Sequence, residues 1–381
     1  MTEKKTIIKK RPTSNGVVLS ILVCFLFALF MRNSKVAAEY IKDGISICMN
    51  TLIPSLFPYL VLSDMAIMLS LPRLLGSMMK KPMSFLFGVS GVGACVFVLG
   101  ILCGFPVGAK SASDLYDRGE ISKSECEKLI SFCNIPSIGF TVNVVGGLIF
   151  GNIKVGWIFW LCTVFCSVIS GVINKFIYGN NSCENTQNNS FVCSVNTCKT
   201  EKSSAGIFVG AVERSAKSTL LICSYVVFFS CLTGVLQIPL ERFGVPHILG
   251  SLICGLLELT CGVNGSLSVG NMCLRAVLCG FFVGWSGISV HLQIFSICDG
   301  RDLKFSNYIF MKLLQGILCS ISIFLIFRLH PQVFTCGKSE SLTFVPFENP
   351  YHTVCNLIFI FTLITVFLFR SKKEKIHWQS K

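Results

Sequence analysis

Long apolar runs separated by short polar segments make up most of this chain of 381 residues. A helix needs about 20 apolar residues to cross the hydrocarbon core of a bilayer. Because the runs have that length, or nearly so, the pattern predicts an all-α polytopic membrane protein with about ten transmembrane helices. The predicted spans are 16–33, 50–70, 83–104, 136–152, 154–178, 219–238, 246–263, 274–295, 307–329 and 353–370.

The composition supports this class of protein. Hydrophobic residues make up 52% of the chain and charged residues only 14%, whereas soluble globular proteins carry about 25% charged residues. The mean hydropathy is +0.69 and the formal net charge is +14. In a membrane protein a basic excess more often sets orientation than it binds nucleic acid. The lipid bilayer is therefore the expected partner, and no nucleic acid is expected.

Basic residues lie before the first predicted span, after the last one, and between the second and third. Because cytoplasmic flanks carry the excess of Lys and Arg, we expect a multi-pass protein of the cell membrane with both termini cytoplasmic. The N-terminal apolar run is interpreted as an uncleaved first span, since no clear small-residue cleavage site follows it. The basic residues are Lys4, Lys5, Lys9, Lys10, Arg11, Arg73, Lys80, Lys81, Arg370, Lys372, Lys373 and Lys375.

A polar segment at 179–203, rich in Asn, Ser and Thr, is predicted to be an exposed loop that divides the chain. The regions 36–178 and 204–330 each begin with a segment of mixed polarity, continue through apolar spans and reach a broken apolar motif. They are predicted to be two related halves. The basic segment and first span at 1–35 precede them, and a loop, the last span and a basic tail at 331–381 follow.

The sequence EISKSECEKLISFC (120–133) predicts an amphipathic helix rather than a span. Ser122 and Glu125 have the spacing of a capping box, in which each side chain accepts from the other residue's backbone. As an exposed helix, this segment and the loop at 179–203 would offer contact surfaces to partner proteins. The segments 36–50 and 204–217 have a similar mixed polarity.

The motif GFPVGAKSASDLYDRG interrupts the third predicted span at Gly104, Pro106 and Gly108 and then places Lys110 and Asp114 after the break. Unpaired backbone groups are not tolerated in lipid, so such a break survives only inside protein or beside water. The two charged residues share a helix face and could pair with each other or with a ligand. In the alternative interpretation the span simply ends at residue 104 and the charges lie in an interfacial loop.

A second broken motif, GWSGISVHLQIFSICDG, begins at Gly284 and Gly287 and carries His291 and Gln293 after the break. Like the first, it starts with glycines in a span and ends in Asp with Gly close behind. Two such motifs of opposite orientation would form the inverted repeats of secondary transporters, whose binding sites lie where the broken helices meet. The sequence leaves that orientation open.

Other polar residues lie within the predicted spans, where such residues are costly and commonly functional. Glu258 is deep in an apolar run without another charge nearby, Asp64 lies in the second span, and Asn143 lies in the glycine-rich fourth span. For Glu258 the alternative is a structural hydrogen bond to a neighbouring helix. These three residues, with Lys110, Asp114, His291 and Gln293, are the candidate solute-binding set.

The 21 cysteines predict neither a metal site nor a disulfide framework. Many lie in apolar runs, where cysteine packs as a small hydrophobe, and there is no CxxC or zinc-type spacing. Cys183, Cys193 and Cys198, in the predicted loop, are the only set worth testing for pairing. Without a P-loop, GxSxG or HExxH motif, we expect no enzyme, no metal and no cofactor.

The segments SLFPYLVLSD, LCGFPVGAKSASDLYDRGEIS, FCNIPSIGF, GLLELTCGV and GWSGISVHLQI occur in this order between residues 17 and 330. They resemble the sporulation integral membrane proteins of YlbJ type, which carry a nucleoside-recognition (Gate) domain twice. The resemblance implies an endospore-forming bacterium and a membrane role in spore formation, particularly of the cortex. Ile135 and Pro136 depart from the more polar residues expected there, whereas Asp64 keeps the charge of the expected glutamate.

Two functional hypotheses follow. In the first, the protein is a transporter-like permease that binds a small polar solute, nucleoside-like or a cell-wall precursor, because Gate domains resemble part of concentrative nucleoside transporters. This step rests on analogy between folds. In the second, it is a non-transporting assembly or signalling protein that contacts other sporulation membrane proteins.

Overall fold

The computed structural model describes residues 14–69, 71–178 and 204–334, and every regular element in these ranges is helical. The predicted loop at 179–203 with its three cysteines, the last predicted span at 353–370 and both basic termini lie outside the described residues. The helices are α1 Ser14–Arg32, α2 Ser34–Ile47, α3 Ile53–Met68, α4 Leu71–Phe87, α5 Gly93–Cys103, α6 Val107–Asp117, α7 Lys123–Phe132, α8 Ile153–Tyr178, α9 Ser204–Arg242, α10 His247–Leu257, α11 Leu259–Gly265, α12 Met272–Trp285, α13 Gly287–Ile297 and α14 Ser306–Leu329, with π-helices Cys48–Leu52 and Phe140–Ile149.

Four described segments are long and apolar enough to cross a membrane: α8, α9, the pair α12 and α13, and α14. Two bent pairs raise this number to six, with bends of 95° between α1 and α2 and 80° between α3 and α4. An all-α polytopic membrane protein is therefore confirmed. Three further predicted spans contain short apolar helices, Gly93–Cys103, Phe140–Ile149 and Ile248–Leu257, because polar residues, glycines or prolines interrupt the apolar runs there.

The helix α9 has 39 residues, which is about 58 Å at 1.5 Å per residue. That is about twice the thickness of the hydrocarbon core. The segment 204–217 is therefore the first part of this helix and is continuous with the apolar run at 219–238. Glu213, Arg214 and Lys217 lie before that run.

The first break lies at Gly104 and Pro106 as predicted, whereas Gly108 was predicted to be part of the break but lies inside α6. Gly104 ends α5 with φ 81°, and α6 begins at Val107. The backbone at the break is paired within the protein, since Phe105 N donates to Ile135 O at 2.8 Å. A side chain on Gly104 would collide with the backbone nitrogen of Ser137. The interruption is thus a buried crossing of two chain segments, and a span that merely ends at residue 104 does not describe it.

In the second half of the chain, α10 and α11 are separated by the single extended residue Glu258, with φ −143° and ψ 126°. The next break falls at Ser286 and Gly287, both with positive φ. A Cβ on Gly287 would lie 3.2 Å from Glu258 Cα, so these two breaks pack against each other. Gly284 was predicted to be part of the break but stays inside α12, where the missing side chain lets α14 approach.

The helix α7 is confirmed, but it is not an exposed contact surface. Ser122 Oγ accepts from Glu125 N at 3.2 Å, as an N-cap should. The Glu125 carboxylate does not complete a capping box, because it accepts instead from Ser90 N at 2.7 Å. Helices α5, α6, α8 and α14 contact α7, and they bury the residues from Leu129 to Phe132.

Candidate functional site

A charged cleft lies between α3, α6 and α9. Asp64 of α3, Asp114 of α6 and Arg214 of α9 all line it. Its volume is about 200 Å³. The complete lining is Asp64, Ile67, Met68, Asp114, Asp117, Arg118 and Arg214.

Asp64 carries the densest set of charged contacts. Only 2% of its side chain is exposed, yet it accepts from Lys110 Nζ through Oδ1 and from Arg214 Nε through Oδ2 at 3.0 Å. Lys110 also reaches Asp114, whose Oδ2 lies 3.3 Å from Nζ. The predicted sharing of one helix face by Lys110 and Asp114 is confirmed, and their shared partner is Asp64.

The break before α6 is what brings these charges inside. Eight of the 11 residues of α6 are buried, although the helix carries Lys110, Asp114 and Asp117. A helix that continued straight from α5 could not cross the Asn134–Ser137 segment, on which the break is packed. At the start of α6, Ala109 N donates to Asn134 Oδ1 at 2.8 Å, which fixes the helix before Lys110.

The outer part of the cleft is held by two further arginines. Arg118 donates to Ile67 O at 2.9 Å and thereby joins α6 to α3. Arg301 forms two parallel hydrogen bonds with the Asp117 carboxylate, at 2.8 and 2.7 Å. This bidentate geometry is the stronger type of ion pair. It links the C-terminal end of α6 to the chain just beyond α13.

Arg214 was not among the residues predicted for the site. Its position in the predicted amphipathic segment gave no sign that it would meet Asp64, 150 residues earlier in the chain. Its side chain is 39% exposed. Among the described residues, Nε makes the only hydrogen bond of this side chain, and Nη1 lies along α9, 3.1 Å from where a Cβ on Gly210 would be.

Glu258 is buried as predicted, with 3% exposure, but it does not line the cleft. Its carboxylate accepts from Cys261 N at 2.7 Å and caps α11. This geometry favours a structural hydrogen bond, although to its own helix and not to a neighbouring one. Asn143 is exposed on the π-helix Phe140–Ile149 and is not among the residues that line the cleft.

His291 and Gln293 lie on α13 and are also outside the cleft lining. His291 Nδ1 is 2.7 Å from the Tyr308 hydroxyl, and Trp285 packs edge-on against the imidazole. Gln293 Nε2 donates to Ser289 Oγ at 3.4 Å. Of the seven candidate residues, the structure thus brings together Asp64, Lys110 and Asp114 and leaves four elsewhere.

A buried lysine was also missed. Lys312 of α14 is fully buried, and its ammonium donates to Asn134 O and Gln315 Oε1, both at 2.9 Å. Among the described residues no carboxylate lies within ion-pair distance of it. A lysine inside the apolar run NYIFMKLLQGIL was the available signal.

No group of three or more His, Cys, Asp or Glu side chains that could hold a metal ion occurs in 14–69, 71–178 and 204–334. Each of the five charged side chains that line the cleft forms an ion pair, although only Asp64 and Arg214 pair with each other. A ligand with a charged group could replace one partner in such an ion pair, so the arrangement is suited to binding a charged ligand.

Helices broken inside the protein, with charges gathered at a break, define a polytopic α-helical membrane protein with an internal polar site. The particular similarity is to "Sporulation integral membrane protein YlbJ" of Bacillus subtilis (strain 168), which is 26% identical over 340 residues, covering 82% of this chain and 83% of the relative. This likeness supports the YlbJ-type resemblance. No protein-family model matches the chain, and no solved structure matches it.

Proposed function

We propose that the protein acts in endospore formation as a transporter-like permease that binds a small polar solute at the charged cleft. The observation that carries the proposal is the contact of buried Asp64 with both Lys110 and Arg214 beside a helix break. The likeness to a sporulation membrane protein supplies the biological setting. The proposal includes no enzymatic step.

The physical argument is one of cost. Removing charges from water costs several kcal/mol per ion, and a buried ion pair recovers this only with good geometry. Hydrophobic residues of similar volume would hold α3, α6 and α9 together equally well. A cluster of five charged side chains around an open cleft is therefore better explained by a ligand that competes for those charges than by stability.

The arrangement of the breaks supports the same proposal. Transporters place their sites where discontinuous helices meet, and here Ser113 Oγ of α6 lies 3.1 Å from Cys298 Sγ, just beyond α13. Both helices that follow a break thus approach each other near their C-terminal ends. Two related halves of the chain, each with a broken motif, and cytoplasmic termini belong to this proposal. Reporter fusions at each end of the chain would test the orientation.

The experiment has two arms. In Bacillus subtilis without its YlbJ, expression of this chain should restore heat-resistant spores, and Asp64→Asn should not, whereas the exposed control Lys217→Gln should. In the second arm, the purified protein is placed in liposomes, and uptake of small polar solutes is measured with and without a proton or sodium gradient. Restored spores together with saturable uptake would support the permease.

The alternative is a non-transporting assembly or signalling protein. Burial of α7 takes away one of the two surfaces expected to contact partners. The same experiment separates the two functions: folded protein that restores spores but neither binds nor takes up any solute would favour the alternative. Failure to restore spores at normal protein level would count against a shared role with the Bacillus relative.

A further inference from the structure

We infer that α4 lies along the surface of the bilayer and that one side of this helix binds the phosphate groups of anionic phospholipids. This basic side consists of Arg73, Lys80 and Lys81, which are all exposed. The inference follows from the juxtaposition of these three cations with exposed apolar side chains on a helix that bends away from a membrane span. It goes beyond the proposed function, because lipid binding at α4 does not require that the protein transports a solute.

The first step concerns where α4 lies. The π-helix Cys48–Leu52 leads directly into α3, and the two together have about 20 residues, which is enough to cross a bilayer without α4. Helix α4 then bends by 80° from α3. Its C-terminal end contacts the last turn of α8, where Lys175 Nζ donates to Phe85 O at 2.6 Å. Because the apolar span of α8 ends at Ile177, this contact places α4 near a membrane surface.

The second step concerns the sides of α4. One side is buried against the protein and consists of Pro72, Gly76, Met83 and Phe87. On the opposite side, Met78 and Phe85 are 73% and 77% exposed, so the described part of the protein does not cover them. Arg73 and Lys80 are two turns apart and share a face, which Lys81 extends. The basic side thus lies between the buried and the exposed apolar sides, as in helices that lie in the headgroup region of a membrane.

The third step concerns the balance of charge on α4. Among the residues that the structure describes, none of its three basic side chains forms an ion pair. The sequence explains this result, since no Asp or Glu occurs between Asp64 and Asp114. Helix α2 is different, because it also bends, by 95° from α1, but carries two acidic residues beside its two basic ones. Of these two bent helices, α4 therefore presents the unbalanced positive charge.

The fourth step concerns the chemistry of the partner. Arginine binds phosphate through parallel N–H donors, and lysine binds it as a point charge. Each basic residue near an anionic membrane surface strengthens the attraction about fivefold. An acidic protein would also supply negative charge, but it would leave Met78 and Phe85 without contact to hydrocarbon. An anionic phospholipid satisfies both sides of α4, because its headgroup contacts the cations and its acyl chains contact the apolar residues.

The test measures lipid binding by the full-length protein in a non-ionic detergent. Native mass spectrometry gives the apparent Kd for phosphatidylglycerol and for phosphatidylcholine with the same acyl chains. The wild type should prefer phosphatidylglycerol, and Lys80→Gln/Lys81→Gln should weaken binding of that lipid about tenfold or more. The matched control Lys35→Gln/Lys42→Gln removes two exposed lysines from α2 and should bind as the wild type does. A thermal melt confirms that each variant is folded.

A preference for phosphatidylglycerol that is lost in Lys80→Gln/Lys81→Gln and kept in the control supports the inference. Equal affinity of the wild type for the two lipids overturns it. An equal loss in both double variants assigns the effect to overall charge and overturns the location on α4. Displacement of phosphatidylglycerol by polyglutamate at equal concentration of charge makes an acidic protein the better partner and overturns the lipid. None of these measurements involves solute uptake, so the proposed function is tested separately.

Discussion

Lys110 is the residue on which the charge cluster depends, since its ammonium contacts the carboxylates of both Asp64 and Asp114. Its side chain is only 8% exposed. Removing one partner of a buried pair leaves an uncompensated charge, which costs more than the pair contributes. Substitutions within the cluster therefore measure how strongly its charges are coupled.

The substitution Lys110→Met should lower the free energy of unfolding by about 3–5 kcal/mol, because it leaves Asp64 buried with Arg214 alone. Adding Asp64→Asn should recover part of the loss, since the stranded charge is then removed. Thermal unfolding in detergent measures both variants. If the single and double variants melt at the same temperature, the pair is not coupled in the folded protein.

At Glu258 the structure favours a cap over a ligand-binding role, and two substitutions separate them. Glu258→Gln keeps an oxygen for Cys261 N and should leave both protein level and solute uptake close to wild type. Glu258→Ala loses the cap and should cost about 1 kcal/mol of stability. Uptake that disappears in the glutamine variant at normal protein level would return Glu258 to the binding site.

At the scale of the element, the sequence revealed some breaks and hid others for a physical reason. Gly104 and Pro106 interrupt an apolar run, and both residue types are poor in helix interiors, so that break was predictable. The break at Glu258 consists of one extended residue without Gly or Pro beside it. The break at Ser286 and Gly287 was predicted at Gly287, although the left-handed conformation of Ser286 is uncommon outside glycine. The break at Glu258 is set by tertiary packing and not by local preference.

Gly104→Ala tests whether the first break is a tight crossing. Gly119 is a matched control, because its φ of 67° is also positive but nothing lies within 4 Å of an added Cβ. Gly119→Ala should cost only the conformational strain of about 1–2 kcal/mol. Gly104→Ala should cost clearly more, because the added Cβ also meets the Ser137 backbone. Equal unfolding temperatures would show that the crossing is loose.

The buried carboxyl of Glu125 on α7 leads to a prediction of how the stability of the protein depends on pH. Burial raises the pKa of the Glu125 carboxyl above its usual 4.5, although hydrogen bonds from Ser90 act in the opposite direction. A carboxyl with a raised folded-state pKa binds its proton more tightly in the folded protein, so stability falls as pH rises from about 4.5 through that pKa.

Glu125→Gln should remove this fall because glutamine does not titrate. Its amide oxygen can still accept from Ser90 N, so the packing is kept. Glu127→Gln, at a more exposed position on the same helix, should keep it. Melting temperatures between pH 4 and pH 8 compare the variants. Parallel curves for wild type and Glu125→Gln would contradict the assignment.

At the scale of the whole molecule, the class of protein was predictable because apolar run length and low charge content report on the bilayer directly. The site was predictable only in part. Lys110 and Asp114 are four residues apart, so their shared face follows from helical geometry. The meeting of Asp64 with Arg214 depends on how α3 and α9 pack, and no periodicity within either segment contains that information.

The central claim is that the Asp64 cluster is a solute-binding site in a membrane protein of sporulation. The most direct measurement is the initial rate at which liposomes that contain wild type, Asp64→Asn or Lys217→Gln at equal protein density take up the small polar solute found in the uptake screen. We predict saturable uptake by wild type and Lys217→Gln and loss of at least about tenfold in Asp64→Asn, since removing that charge frees Lys110 and Arg214. Uptake by Asp64→Asn equal to that of wild type would contradict the claim.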